Sequence, residues 1–206
     1  VLCANGTMLP QLAVSAMRVA VSTALGLTLA VPLGLFCGRS EMAYRLAAPL
    51  VAILYPLPKV VFLPVFVVLF GLGDLPKILL ITLIIFFQLF VVVQDAAREL
   101  PRESVDAMRT LSNRKWAVFC HLLWPACLPS MLTALRVSVG TSVAVLFFAE
   151  TFASFNGVGY LILDGMESRR YDAMFAGIIC MGLLGILFYE AIYLAEKYFC
   201  RWQHLS

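Results

Sequence analysis

Charge is what this sequence has least of. Only 13% of its 206 residues are Asp, Glu, Lys or Arg, about half the share of ~25% in a soluble domain. In their place 62% are hydrophobic, and the mean hydropathy is +0.94. A water-soluble fold of this size cannot hide that much apolar surface, so lipid must cover part of it. The net charge of +3 is too small to imply a nucleic-acid partner. Histidine is scarce as well. His121 and His204 stand in no His-Glu-x-x-His pattern, and there is no Gly-x-Ser-x-Gly, so the common hydrolase constellations are excluded. Cys200 and His204 share one helical face, but two ligands near a terminus make a weak metal site. No Gly-x-x-x-x-Gly-Lys-[Ser/Thr] loop occurs, so the chain does not hydrolyse ATP itself. The six cysteines, Cys3, Cys37, Cys120, Cys127, Cys180 and Cys200, form no Cys-x-x-Cys pair and read as small membrane hydrophobes with no metal or disulfide role. No signal-peptide pattern is visible, and the opening Val1 reads as processing or trimming.

What is present is a set of long apolar runs. A membrane-crossing helix needs about 20 mostly apolar residues. Five stretches qualify, at residues 12–38, 46–71, 77–94, 128–148 and 174–198. The expected fold class is therefore all-α and polytopic, with residues 1–206 forming a single transmembrane domain. The second stretch is irregular: Pro56, Pro58 and Pro64 remove backbone donors and force a bend or break. The expectation is a short interfacial helix to about Tyr55, then a steep span ending at Gly71-Leu72-Gly73-Asp74. Basic residues set the orientation. Arg39, Arg45, Arg98, Arg102, Arg109, Arg114, Lys115, Lys197 and Arg201 fall on one side, against Lys77, Arg169 and Arg170 on the other. Arg18, Lys59 and Arg136 fall within spans or at their edges. The richer side is read as cytoplasmic, which places the N-terminus and the 149–173 loop outside. In the first span Ser22, Gly26, Ala30, Gly34 and Gly38 recur every four residues, a stripe that lets another backbone approach closely. It fits packing within the chain or a dimer seam.

The least hydrophobic part of the chain lies between the third and fourth spans. Residues 95–115 hold nine charges, yet Val105, Met108 and Leu111 repeat at helical spacing, as do Trp116, Phe119 and Leu123. Ser112-Asn113 interrupts them, since Ser and Asn favour turns and caps over helix interiors. The pattern predicts helix, bend, helix, with Pro125 and Pro129 marking re-entry into the membrane. The apolar face of such a segment needs cover. It can fold onto the cytoplasmic end of its own bundle or enter a groove on a partner.

These residues resemble a known family. Asp106-Ala107-Met108-Arg109-Thr110-Leu111-Ser112, then Trp116 and Leu123 to Pro129, is similar to the EAA loop of ABC importer permeases. Pro56-Leu57-Pro58-Lys59 to Pro64, Phe70-Gly71-Leu72-Gly73, and Ala149-Glu150 through Asn156-Gly157-Val158-Gly159 to Ile162 resemble the nitrate, sulfonate and taurine permease group. The resemblance covers roughly residues 10–202. Asp106 stands where the motif has Glu, and Ser112 where it has Gly. The family commonly carries one further helix before the first span here.

The resemblance implies a type I ABC importer permease fold, like that of the methionine importer, in the bacterial cytoplasmic (inner) membrane. The coupling loop would cover residues 99–123. Asp106, Ala107, Met108, Leu111, Ser112 and Trp116 would dock into a cleft on an ATP-binding subunit, with two such subunits per assembly. No cofactor is expected on this chain, because the partner binds the ATP. One copy has too few spans to enclose a path, so a second permease copy is expected, with pairing to a related permease as the other possibility. A periplasmic or lipid-anchored solute-binding protein and membrane lipid complete the partners.

Polar groups at membrane depth are the candidates for the path: Gln88, with Gln94 beside it, and Ser138, Thr141 and Ser142, although Ser and Thr often bond back to their own helix. Glu150, Gly157 and Gly159 are the candidates for an outer gate, the glycines giving a sharp turn. Arg136 and Glu150 read as anchors at opposite ends of one span rather than as an ion relay. Arg169 and Arg170 suit either an acidic docking surface or lipid headgroups. The alternative to an importer is a secondary transporter or channel subunit with a regulatory loop, but secondary transporters usually show internal repeats and none is found here.

Overall fold

The computed structural model describes residues 8–111 and 115–201, and it is helical throughout that range apart from short turns. In chain order the helices are α1 (Met8–Arg39), α2 (Glu41–Leu54), α3 (Phe62–Phe70), α4 (Leu75–Glu99), α5 (Arg102–Leu111), α6 (Lys115–Val118), α7 (Trp124–Ala153), α8 (Val158–Glu167) and α9 (Tyr171–Phe199). Among the described residues, four helices are long and apolar enough to cross a membrane, or five if the broken pair α2 and Lys59–Phe70 counts as one span. Four of the five expected spans are single helices that extend beyond their apolar runs at both ends, and the second is the broken pair, bent by 75°.

Local chemistry explains most of the boundaries. Ser40 stops α1 and starts α2: its backbone is extended, and its side chain accepts from the Ala43 amide at 3.3 Å, with Glu41 in the first turn. Pro56 and Pro58 fall in the break after Leu54, as expected. Pro64 does not break anything. It sits in the first turn of α3, where its missing amide would have had no partner in any case. Gly71 ends α3 at φ +80, a conformation open to glycine. Before α7, residues Phe119–Leu123 form a π-helical turn, with the Trp124 amide reaching back to Phe119 O. Pro125 explains it, because its ring would crowd the His121 carbonyl in an ordinary α turn.

The chain divides into two compact units. Within the described residues the first takes in 8–26, 58–85 and 137–191, and the second 27–57, 86–111, 115–136 and 192–201. In the first, Val19, Leu63, Leu80, Ile81, Ile85, Val139, Leu146 and Ala149 are fully buried. Ser22 Oγ donates to Ile78 O at 3.1 Å, and Gly177 approaches Ile162 so closely that a Cβ would lie 2.6 Å from Ile162 Cγ1. In the second, Ala30, Leu89, Val93 and Ala97 form the centre. A Cβ on Gly34 would lie 3.0 Å from Val93, and one on Gly38 would lie 2.5 Å from Gln94 O. The small-residue stripe of α1 thus packs within the chain, against α4, where van der Waals contact supplies the helix–helix attraction that lipid cannot. Outward, Ile178, Ile179, Leu183, Ile186, Leu187 and Leu194 leave α9 largely exposed and apolar, as lipid contact requires.

Candidate functional site

Two assemblies stand out. The first is a buried ion cluster in the first unit. Arg18, with no solvent exposure, spends all five of its N–H donors. Nε donates to Asp74 Oδ1 at 2.9 Å, Nη1 to Glu150 Oε1 at 2.6 Å and to Asn156 O at 3.1 Å, and Nη2 to Asp74 Oδ1 and Asn156 Oδ1. Glu150 is equally buried and equally satisfied. Ser15 Oγ donates to Oε1 at 2.7 Å, and the Gly159 amide donates to Oε2 at 2.8 Å. Lys77, 1% exposed, donates from Nζ to Gly73 O at 2.8 Å. Arg18 therefore pairs with both carboxylates, Asp74 and Glu150. Removing one member of such a buried pair typically costs about 3–5 kcal/mol, because its partner is left uncompensated.

Sequence places these groups where they meet. Gln11, Ser15, Arg18 and Ser22 follow one another at four-, three- and four-residue steps, one face of α1. Asp74 stands at the start of α4, its carbonyl taking the Ile78 amide at 3.0 Å. Glu150 lies in the last turn of α7, and Asn156-Gly157 makes the turn into α8. Gly157 has φ +106, so this turn does need glycine. Gly159 has a different job. It is helical, and a Cβ there would sit 2.7 Å from Glu150 Cβ and 2.9 Å from Phe147 O. Of the expected gate residues, Glu150, Gly157 and Gly159 are thus brought into direct contact.

The second assembly is the α5–α6 segment of the second unit. Its two helices agree with the sequence pattern, and the expected interruption at Ser112-Asn113 lies outside the described residues. Val105 is buried at 5% exposure and Met108 is half-buried, while Asp106 and Ala107 are exposed. Trp116 is 72% exposed and stacks on Phe119 at 5.4 Å. The segment therefore buries one edge in its own unit and presents another outward. Leu111 closes α5, but its side chain, like Ser112 as a whole, lies outside the described residues.

The remaining candidates are divided between the two units. Gln88 belongs to the second unit, and its buried Oε1 has no hydrogen-bond partner among the described residues, nor has that of Gln94. Ser138 and Ser142 are buried in the first unit, where Ser142 Oγ donates to Ser138 O at 2.7 Å. Thr141 is exposed and bonds back to Val137 O at 3.5 Å. Arg136 and Glu150 do not act as a pair: Arg136 lies 3.4 Å from Glu196 Oε2, which Thr133 helps to hold through Oε1 at 2.9 Å. Between α8 and α9 Arg170 pairs with Asp164, and Arg169 takes a left-handed φ of +56.

Sequence reasoning missed Arg18, Asp74, Ser15 and Gln11. The signal was available, because a polar residue at each of four helically spaced positions on an apolar span is costly unless all of them have partners.

Comparison with known proteins agrees with this architecture. Residues 30–197 match the family described as "Binding-protein-dependent transport system inner membrane component". The putative aliphatic sulfonates transport permease protein SsuC of Bacillus subtilis is 29% identical over 200 residues, 97% of this chain and 72% of the relative. The taurine transport system permease protein TauC of Escherichia coli is 27% identical over 183 residues, 89% and 66% of the two chains. A chain of the inward-facing MetNI methionine ABC transporter superposes with a TM-score of 0.75 at 16% identity, covering 94% of this chain and 96% of that one, a likeness of fold. The chain therefore belongs to the family of binding-protein-dependent transport system inner membrane components, the membrane permeases of ABC importers.

Proposed function

We propose that this chain forms half of the translocation path of an ATP-driven importer in the bacterial inner membrane, and that it takes up a small polar or anionic solute of the nitrate, sulfonate, taurine or bicarbonate type. A second copy supplies the other half, two ATPase subunits supply the energy, and a solute-binding protein delivers the substrate. ATP is bound by the ATPase partner, and the permease carries no cofactor. The observation that carries this reading is the outward edge of α5–α6. Asp106 and Ala107 on α5 are exposed and Trp116 on α6 is 72% exposed, and Trp is among the residue types enriched as interface anchors. Met108, Leu111 and Ser112 belong to the same proposed contact.

Gln88, Ser138, Thr141 and Ser142, polar groups at membrane depth, are the residues we assign to the path. Glu150, Gly157 and Gly159 form the outer gate. ATP-driven closure of the two ATPase subunits draws the paired α5–α6 segments together and rocks the spans between two packings. Proteoliposomes holding the permease, its ATPase and the binding protein should take up labelled taurine or butanesulfonate only with ATP inside the compartment that the ATPase faces. Uptake that follows an ion gradient and ignores ATP would remove the reading.

A further inference from the structure

Helix α8 starts without a cap of its own. Gly157 makes no side-chain cap bond, so the first amides of α8 need acceptors from elsewhere. Each of the first three finds one on another segment. The Gly157 amide donates to Gln11 Oε1, the Val158 amide to Ser15 Oγ at 2.9 Å, and the Gly159 amide to Glu150 Oε2 at 2.8 Å. Two of these acceptors sit on α1 and one at the end of α7. Arg18 ties them together, since it neutralises Glu150 and grips Asn156 through both its backbone and side-chain oxygens. The fit around Glu150 is tight from the α8 side, where a Cβ on Gly157 would lie 2.4 Å from Glu150 Cδ. The cluster also reaches the surface of the chain, because the Asp74 side chain is 44% exposed.

We propose that Arg18 is the positioning residue of the outer gate: through Glu150 and Asn156 it fixes the α7–α8 turn on α1, and the start of α8 moves only when these cross-segment caps release. The proposal rests on the reading of Glu150, Gly157 and Gly159 as that gate.

The test uses the full chain with its ATPase subunits in nanodiscs, with native cysteines replaced by serine and Ile162→Cys as reporter. Ile162 is 7% exposed, one turn into α8 from the cluster. The probe is a water-soluble maleimide, applied without nucleotide and again with ATP and vanadate. With Arg18 intact, labelling should be slow without nucleotide and about tenfold faster with ATP and vanadate, a coupling of ordinary size. Arg18→Met with Glu150→Gln leaves no lone charge on either of the two buried partners, and it should label fast in both conditions. Asn156→Ala, which keeps the ion pair and only loosens its grip on the turn, should shift labelling in the same direction by less. Arg18→Lys, which keeps the charge, should restore part of the nucleotide response. If the neutral pair and Asn156→Ala both keep the intact rates and response, Arg18 does not position the gate, although the gate itself stands. If the intact protein labels at one rate in both conditions, the gate reading falls, and this proposal falls with it.

Discussion

Arg18 and Glu150 lie 132 positions apart in the chain and meet at 2.6 Å with neither side chain exposed to solvent. A buried pair of this kind contributes little net stability over a well-packed apolar pair, but it is expensive to break from one side. Arg18→Ala should therefore lower the unfolding free energy in detergent by about 3–5 kcal/mol, and Arg18→Met with Glu150→Gln by clearly less. Chemical denaturation of the purified permease distinguishes the two. Equal losses would show that the charges are not compensating each other.

Glycines with the same helical backbone should respond in opposite ways to an added methyl. In Gly159→Ala the new Cβ meets Glu150 Cβ at 2.7 Å and a backbone oxygen at 2.9 Å, so a loss of about 1–3 kcal/mol is expected from overpacking. Gly140, inside α7, has nothing within 4 Å of a built Cβ. There Gly140→Ala should be neutral or stabilising by roughly 0.5–1 kcal/mol through helix propensity. Melting temperatures of the two variants in one detergent check the contrast.

Ser15 serves α8 and Glu150 at once, accepting from the Val158 amide and donating to the carboxylate. Ser15→Ala should cost about 1–3 kcal/mol, because a buried amide loses its acceptor. Faster hydrogen exchange confined to the start of α8 is the expected signature. Unchanged exchange there would mean that the amide finds another acceptor.

The spans were legible in the sequence because lipid imposes a simple rule, long apolar runs, that needs no knowledge of tertiary contacts. The α5–α6 pattern was legible for a related reason: Val105, Met108 and Leu111 keep helical spacing through a charged stretch. What escaped depended on partners far away in sequence. Arg18 read as one basic residue within a span, since nothing local names Asp74, Glu150 and Asn156 as its acceptors. Helix α8 is hidden in the sequence because Gly157 and Gly159 together signal a turn. Only Gly157 makes one, whereas Gly159 makes room for Glu150. Pro64 was read as a breaker, because whether a proline breaks a helix depends on where the first turn falls.

Coupling through α5–α6 is the claim on which the functional account turns. Trp116 is so exposed that Trp116→Asp should leave the fold intact, and a substitution at such an anchor removes about 2 kcal/mol or more of binding. The direct measurement is co-purification of the ATPase subunit with the permease carrying Met108→Asp, Leu111→Asp and Trp116→Asp, normalised to permease that elutes as a single species. The account predicts that ATPase recovery falls to background while the permease remains folded. Full recovery of the ATPase with the triple variant would contradict it.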